Sequence, residues 1–275
     1  MIHVVTAVHN RYQITEAFIQ CLLKQDYPQI HLVLVDDGST DGTADMAKRL
    51  MPGTTVIQGD GNLWWGGALH EAYKWFKAAK AVADDEYVMF ANDDTEFAAD
   101  YFSRAIGVLK EQRQVLLAGC GISKQTGKQK DGAVAFNFNN STCHAEGLTE
   151  GNCASTRSLF FRVGDFRKIG GFHPVLLPHY GSDYEWTIRA CRKYHYKVIC
   201  DLSLQYFLNE ETTGDNQYAK MTRKKLMSKR SVSNPLYKLS FILLSTPLGR
   251  IPAAIGNQLK RNRQKADIIK DIMRR

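Results

Sequence analysis

What the 275-residue chain lacks narrows its class first. Its six cysteines (Cys21, Cys120, Cys143, Cys153, Cys191, Cys200) are scattered and form no CxxC pair. That excludes a zinc ribbon or a disulfide framework and suits a reducing compartment. Long apolar runs are missing: "FILLSTPL" falls far short of the roughly 20 residues a spanning helix needs. The opening "MIHVVTAVHN" reads as a strand, without the basic flank, apolar core and cleavage site of a secretory leader. A cytoplasmic protein is therefore expected. No internal repeat or low-complexity segment is present. Acidic residues are scarce in one region only. From Asp215 onward fifteen Lys and Arg face three Asp and Glu, a balance of +12, whereas residues 1–214 carry −4. The basicity belongs to the tail and asks for its own explanation.

The body alternates strand and helix signals. "IHVVTAV", "IHLVLVDD", "TTVIQ", "EYVMFANDD" and "VLLAGCGI" read as strands. Between them "ITEAFIQCLLKQ", "TADMAKRLM", "ALHEAYKWFKAAKAVA" and "AADYFSRAIGVLKEQ" carry helical spacing. This order predicts an α/β fold: a mostly parallel sheet with helices on both faces. Residues 121–157 are polar and predict hairpins and loops. "SLFFRV" and "YKVICDLSLQYFL" return to strand, and "SDYEWTIRACRKY" predicts a helix with Ser182 as its cap. In open α/β sheets ligands bind beyond the carboxyl ends of the strands. Three polar clusters fall at such ends: His9-Asn10-Arg11, Asp36-Asp37 and Asn92-Asp93-Asp94.

Each cluster admits a plain reading and a chemical one. "VLVDDGSTDGT" can be an Asx turn that caps a helix. "FANDDTE" repeats the arrangement on the same edge, and crowded carboxylates repel unless a cation or donor offsets them. Such an oxygen-rich set suits Mg²⁺ or Mn²⁺ bridging a diphosphate. In "PHYGSDYEW", Asp183 and Glu185 stand beside His179, Tyr180 and Trp186. Aspartate at a helix start is often a cap, and buried aromatics are often core. Rings that stack on a sugar around a proton-accepting carboxylate would look the same.

These motifs, in this order over about residues 1–214, resemble the family-2 glycosyltransferases of GT-A fold, the group that builds bacterial O-antigen and capsule polysaccharides. "VVTAVHNR" resembles the first nucleotide loop, and "VLVDDGSTDGT" is the most specific match. "FANDD" stands where the family has its metal-binding DxD, and "IGGFHPVLLPHYGSDYEWTIRACRKYHY" resembles its acceptor segment. The resemblance implies a 1–120 nucleotide-sugar half and a 121–214 acceptor half. Asp36 would accept a hydrogen bond from a pyrimidine base, with Thr6, His9, Asn10, Arg11 and Asp37 around the donor. Asn92 and Asp93 would contact the donor. Asp94, with Asn92 and Asn209, would hold Mg²⁺ or Mn²⁺. Asp183 would be the base of an inverting displacement, and His179, Tyr180, Glu185 and Trp186 would meet the acceptor. The chain departs from the pattern at Asn92 (for the first Asp of DxD), at Asn209 with Glu210 and Glu211 (for a histidine ligand), and at Ser182-Asp183 (for an acidic pair).

"GDGNLWWGGALH" puts Trp64 and Trp65 among four glycines. It resembles a tryptophan-bearing branch of the same family, in which Gly61, Asn62, Trp64, Trp65 and Gly67 would approach a UDP- or dTDP-sugar. The rings could equally be a packing plug. The tail, 215–275, interleaves apolar residues with Lys and Arg. It fits an amphipathic segment on an anionic inner membrane face, beside a glycan or lipid-linked glycan acceptor, or a helical cover with a solvated basic face. No nucleic-acid module accompanies the charge, so nucleic acid is not an expected partner. A sugar-phosphate nucleotidylyltransferase and a non-catalytic nucleotide-sugar-binding scaffold are the rival readings. Oligomeric state leaves no trace in the sequence.

Overall fold

The first strand, β1 (Ile2–Val8), seeds a central sheet because its consecutive residues are buried on both faces, the polar His3 and Thr6 among them. The same holds for β2 (Ile30–Asp36), where Leu32 and Leu34 enter one core while Val33 and Val35 enter the other. Such doubly buried strands need helices on either side. The computed structural model describes residues 1–140, 142–209 and 226–261 and supplies them. Helices α1 (Tyr12–Leu23), α2 (Thr43–Leu50) and α4 (Tyr101–Glu111) cover one face through Phe18, Met46 and Phe102. Helices α3 (Trp64–Ala78), α5 (Val163–Ile169) and α6 (Ser182–Tyr194) cover the other through Phe76, Phe166 and Trp186.

The remaining strands are β3 (Thr55–Gln58), β4 (Tyr87–Ala91), β5 (Thr95–Phe97), β6 (Val115–Ser123), β7 (Gln129–Asp131), β8 (Ala133–Asn137), β9 (Thr142–His144), β10 (Glu150–Gly151), β11 (Cys153–Ala154), β12 (Ser158–Arg162) and β13 (Lys197–Leu208). The main sheet runs β10-β13-β6-β12-β4-β1-β2-β3, with β5 on β13 and β7 on β6. Its β4-β1-β2-β3 half is parallel, as the alternating sequence predicts. Strand β12 inserts antiparallel between β4 and β6, pairing Ser158 with Ala91. That insertion brings the residues before β12 beside the carboxyl end of β4. Strands β8, β9 and β11 form a small second sheet within the stretch expected to be hairpins and loops.

Two local expectations need correction. Helix α3 begins at Trp64, so the tryptophans and Gly66-Gly67 form its first turn rather than a preceding loop. Ser182 does not cap α6: Gly181, at φ 83°, holds that position, and the Ser182 hydroxyl donates to the His179 carbonyl at 2.6 Å. Toward the carboxyl end, α7 (Pro235–Ser245) packs on α6 and is capped by Asn234, whose side chain accepts from the Leu236 amide at 3.0 Å. A short 3₁₀ turn (Leu248–Arg250) leads into a helix over 251–261. Among the described residues no helix is long and apolar enough to cross a membrane.

Candidate active site

A cavity of about 710 Å³ opens where β1 and β4 end and where the chain enters β12. Three loops lie on the β1–β2 side, locked to one another by hydrogen bonds, and of their residues Arg11 lines the cavity while His9, Asn10, Asp36, Gly61 and Asn62 do not. Asn10, at φ 51°, donates its amide to Ser39 Oγ and accepts from the Thr40 amide through Oδ1. His9 Nδ1 donates to the Asp37 carbonyl at 2.6 Å. Asp36 is buried and accepts from the Ser39 amide. Thr6 pairs with Leu34, two residues before Asp36 on β2, and among the described residues its buried Oγ1 has no hydrogen-bond partner. A buried hydroxyl without a partner is costly, and Thr6 does not itself line the cavity.

Asp37 has a different task from its neighbour. Its carboxylate accepts from the amides of Gly61, Leu63 and Trp64, gathering the free N–H groups that open α3. It is a cap for that helix, and its side chain does not line the cavity. Trp64 sits at φ 58°, a conformation a bulky residue rarely adopts, and the hydrogen bond its backbone N–H donates to the Asp37 carboxylate helps hold it there. Its indole donates to Asn62 Oδ1 and meets the His179 ring edge-on at 5.7 Å. Trp65 does line the cavity, its indole nitrogen donating to Thr156 Oγ1 at 2.8 Å. The glycines after them serve packing. A Cβ on Gly66 would lie 2.4 Å from the Leu177 carbonyl oxygen, and Gly67 faces Leu63.

The second acidic cluster divides between structure and cavity. Asp93 is buried, paired with Arg11 Nε at 2.9 Å and accepting from Thr15 Oγ1 at 2.9 Å. Burial raises its pKa, and Arg11 pulls it back. Asn92 and Asp94 also line the cavity, with Arg11 Nη2 at a long 3.5 Å from Asp94. Leu208 pairs with Thr95, so Asn209 emerges beside Asp94, although its Oδ1 accepts from Gln125. Glu210 and Glu211 lie outside the described residues. Among the described residues no three His, Cys, Asp or Glu cluster as a metal cage. One carboxylate and an amide oxygen nonetheless fit Mg²⁺ or Mn²⁺, hard cations that commonly take few protein ligands and complete their shell with phosphate oxygens and water.

Asp183 lines the same cavity from the first turn of α6, accepting from the Tyr184 amide at 2.9 Å. Burial, reinforced by Asp131, pushes its pKa up to about 6. His179 also lines the wall; burial lowers its pKa to about 4, so it is neutral, and among the described residues its buried Nδ1 has no partner. Tyr180 lies next to it, rings 4.5 Å apart. Glu185 and Trp186, expected at the acceptor, are elsewhere. Helical geometry turns them away from Asp183, so Glu185 binds Arg189 Nε at 2.9 Å and Trp186 sits in the core, donating to the Gly170 carbonyl.

The residue that sequence reasoning missed is Arg157. It reaches the cavity from the turn before β12, its charge favoured by Asp131, Asp94 and Asp183 against the penalty of burial. Among the described residues its guanidinium makes no direct hydrogen bond or ion pair. Asp131, also overlooked, accepts from Tyr206 at 2.6 Å and from Ser155. The cavity thus gathers the carboxylates of Asp94 and Asp183, with the guanidinium groups of Arg11 and Arg157 near them. That arrangement can accept a proton and offset developing negative charge.

Comparisons with known proteins bear on the fold and the family. A search of curated proteins found no match. Among solved structures the chain resembles GalNAc-T7 with UDP, GalNAc and Mn²⁺ (TM-score 0.60, 12% identity, covering 76% of this chain and 44% of that one). It also resembles S. aureus TarS 1-349 (0.55, 21%, 76% and 60%). A third is the mannosyltransferase PcManGT from Pyrobaculum calidifontis in complex with GDP-Man and Mn²⁺ (0.56, 15%, 95% and 75%). The chain therefore spans less than half of the first neighbour and three-fifths of the second; at these identities the likeness is one of fold. The sequence itself is matched by the family model for glycosyl transferase family 2 over residues 3–170, more than half of its length, and the chain belongs to that family.

Proposed function

We propose that this family-2 glycosyltransferase moves a sugar from a UDP- or dTDP-linked donor to a hydroxyl of a bacterial surface-polysaccharide acceptor, with inversion at the anomeric carbon. The observation that carries the reading is that Asp183 and Asp94 line one cavity, with Arg157 close to both. Asp36 and the unpartnered Thr6 hydroxyl would hold the pyrimidine, and Arg11 the diphosphate. Asp183 takes the proton of the acceptor hydroxyl as its oxygen bonds to the anomeric carbon. The bond from that carbon to the diphosphate breaks, and the electron pair leaves with the diphosphate, whose charge Arg11 and Arg157 offset. Asp94 and Asn92 would hold Mg²⁺ or Mn²⁺, which supplies further positive charge there. His179 and Tyr180 would line the acceptor side.

The test is thermal stabilisation of the chain by UDP, dTDP, GDP and CMP, each with Mn²⁺ and with EDTA. A ligand that binds only the native state raises its melting temperature by mass action. Stabilisation by one pyrimidine diphosphate, lost in EDTA and in Asp94→Asn, is expected. Stabilisation indifferent to EDTA would remove the metal from donor binding, and none with any nucleotide would overturn the donor assignment.

A further inference from the structure

Helix α7 has two faces with opposite properties. Its inner face walls the cavity through Lys238, Phe241 and Ile242, and Phe241 meets Phe136 at 5.5 Å. Its outer face carries Leu236, Leu239 and Leu243, three and four residues apart and therefore in one row. Those leucines are 43–58% exposed, and Leu248 just beyond them is 84% exposed. Burying apolar side chains is favourable, so a row of leucines left open on a short helix calls for a partner. The charge of the segment says which. Residues 226–261 contain six Lys and Arg and no Asp or Glu; Arg230 and Lys238 line the cavity and Lys229 bonds Asn62, which leaves Arg250, next to Leu248 in the 3₁₀ turn, Lys260 and Arg261 outside it. An apolar row within a purely cationic segment complements a surface that is greasy and anionic at once, and a lipid bilayer bearing acidic headgroups is such a surface.

We propose that the outer face of α7, with Leu248, rests on an anionic lipid bilayer. The same helix then brings the cavity wall to the bilayer, so the acceptor would be carried on lipid; this last clause rests on the transferase reading above. The leucines do not line the cavity, so changing them leaves the machinery in place.

The experiment is co-sedimentation of the full chain with vesicles of phosphatidylcholine alone and with about one-third phosphatidylglycerol, in low and high salt. Binding is expected to need the acidic lipid and to weaken with salt. The triple variant Leu236→Ser, Leu239→Ser, Leu243→Ser should lower the partition coefficient by roughly tenfold or more at an unchanged melting temperature. In Leu239→Trp, the added emission should be quenched by bromine-labelled acyl chains. The idea is overturned by a triple variant that binds as the parent does, by unquenched emission, or by a parent dimer that the triple variant dissolves. No donor or turnover enters these readouts. Asp183→Asn should sediment like the parent, so failure of the transferase reading and failure of this one stay separate.

Discussion

A carboxylate that is to remove a proton works best with a pKa near the working pH, and Asp183 is moved in that direction by its surroundings. The same shift has a price in stability. In the unfolded chain an aspartate ionises near 3.8, whereas Asp183 in the fold does so at about 6. The fold thus favours the protonated carboxyl: its contribution is full below the unfolded value and is lost as pH rises through about 6. Asp183→Asn should therefore gain up to about 2–3 kcal/mol over the parent at pH 8 relative to pH 3, read by denaturant unfolding. Turnover should vanish while nucleotide binding persists; a folded Asp183→Asn that no longer binds nucleotide would remove Asp183 from the base role. The parent's kcat/KM should fall on the acid side with an apparent pKa near 6. Two neighbours should move that limb in opposite directions. Arg157→Gln removes a charge that lowers the Asp183 pKa, so the limb moves up, and kcat drops roughly 10²–10³-fold if Arg157 also meets the leaving diphosphate. Asp131→Asn removes a charge that raises it, so the limb moves down. Shifts of one sign in both variants would mean that general unfolding, not electrostatics, is being read.

Among the elements, α3 shows how a motif can be legible and its structural meaning hidden. The tryptophans and glycines of 59–70 stand out in sequence, and local reasoning reads them as a pliable loop. The structure makes them the first turn of a helix pressed against the segment before α6, a non-local contact that no local pattern encodes. Gly66→Ala tests this. Its Cβ would meet a backbone carbonyl at 2.4 Å, which cannot yield as a flexible side chain can, so the helix must shift at a cost of about 1–3 kcal/mol. The expected result is a lower melting temperature with nucleotide affinity weakened in parallel, because α3 starts on Asp37 in the donor-side loops. An unchanged melting temperature would show that α3 is not held as described. The same limit explains Arg157. The parallel half of the sheet, with Asp36 and Asp94 at its strand ends, follows from alternation of strand and helix. The antiparallel insertion of β12 does not, and only that insertion carries Arg157 to the edge where β4 ends. Glu185 and Trp186 mark the converse: they share a motif with Asp183, but at 100° per residue a helix cannot aim three near neighbours at one cavity.

At the scale of the whole molecule the question is whether 226–261 is an appendage or a part of the site. The sequence offered two readings of the tail, a membrane-binding segment or a cover, and the structure makes the cover half concrete. Lys229 Nζ donates to Asn62 Oδ1 at 3.0 Å, Arg192 donates to the Ser245 carbonyl, and Asn257 Nδ2 donates to the Asn139 carbonyl at 2.6 Å. Arg230, Tyr237 and Phe241 add apolar and cationic surface to the cavity that Asn92 and Asp94 also line. A chain ending before Leu226 would keep the sheet, both cores and the donor loops, yet it would expose Phe136 and open the space around Asp183 to water. Water admitted there screens Asp131 and Arg157 and resolvates the Asp183 carboxylate, so its pKa must return toward the ordinary range. The truncated chain should therefore bind nucleotide nearly as the full chain does, and transfer to a soluble acceptor should fall with it even though no membrane is present. Its acid limb should move below 6. If transfer to a soluble acceptor survives truncation with the limb unmoved, the tail is an appendage to the site, and its inner face contributes nothing to the chemistry.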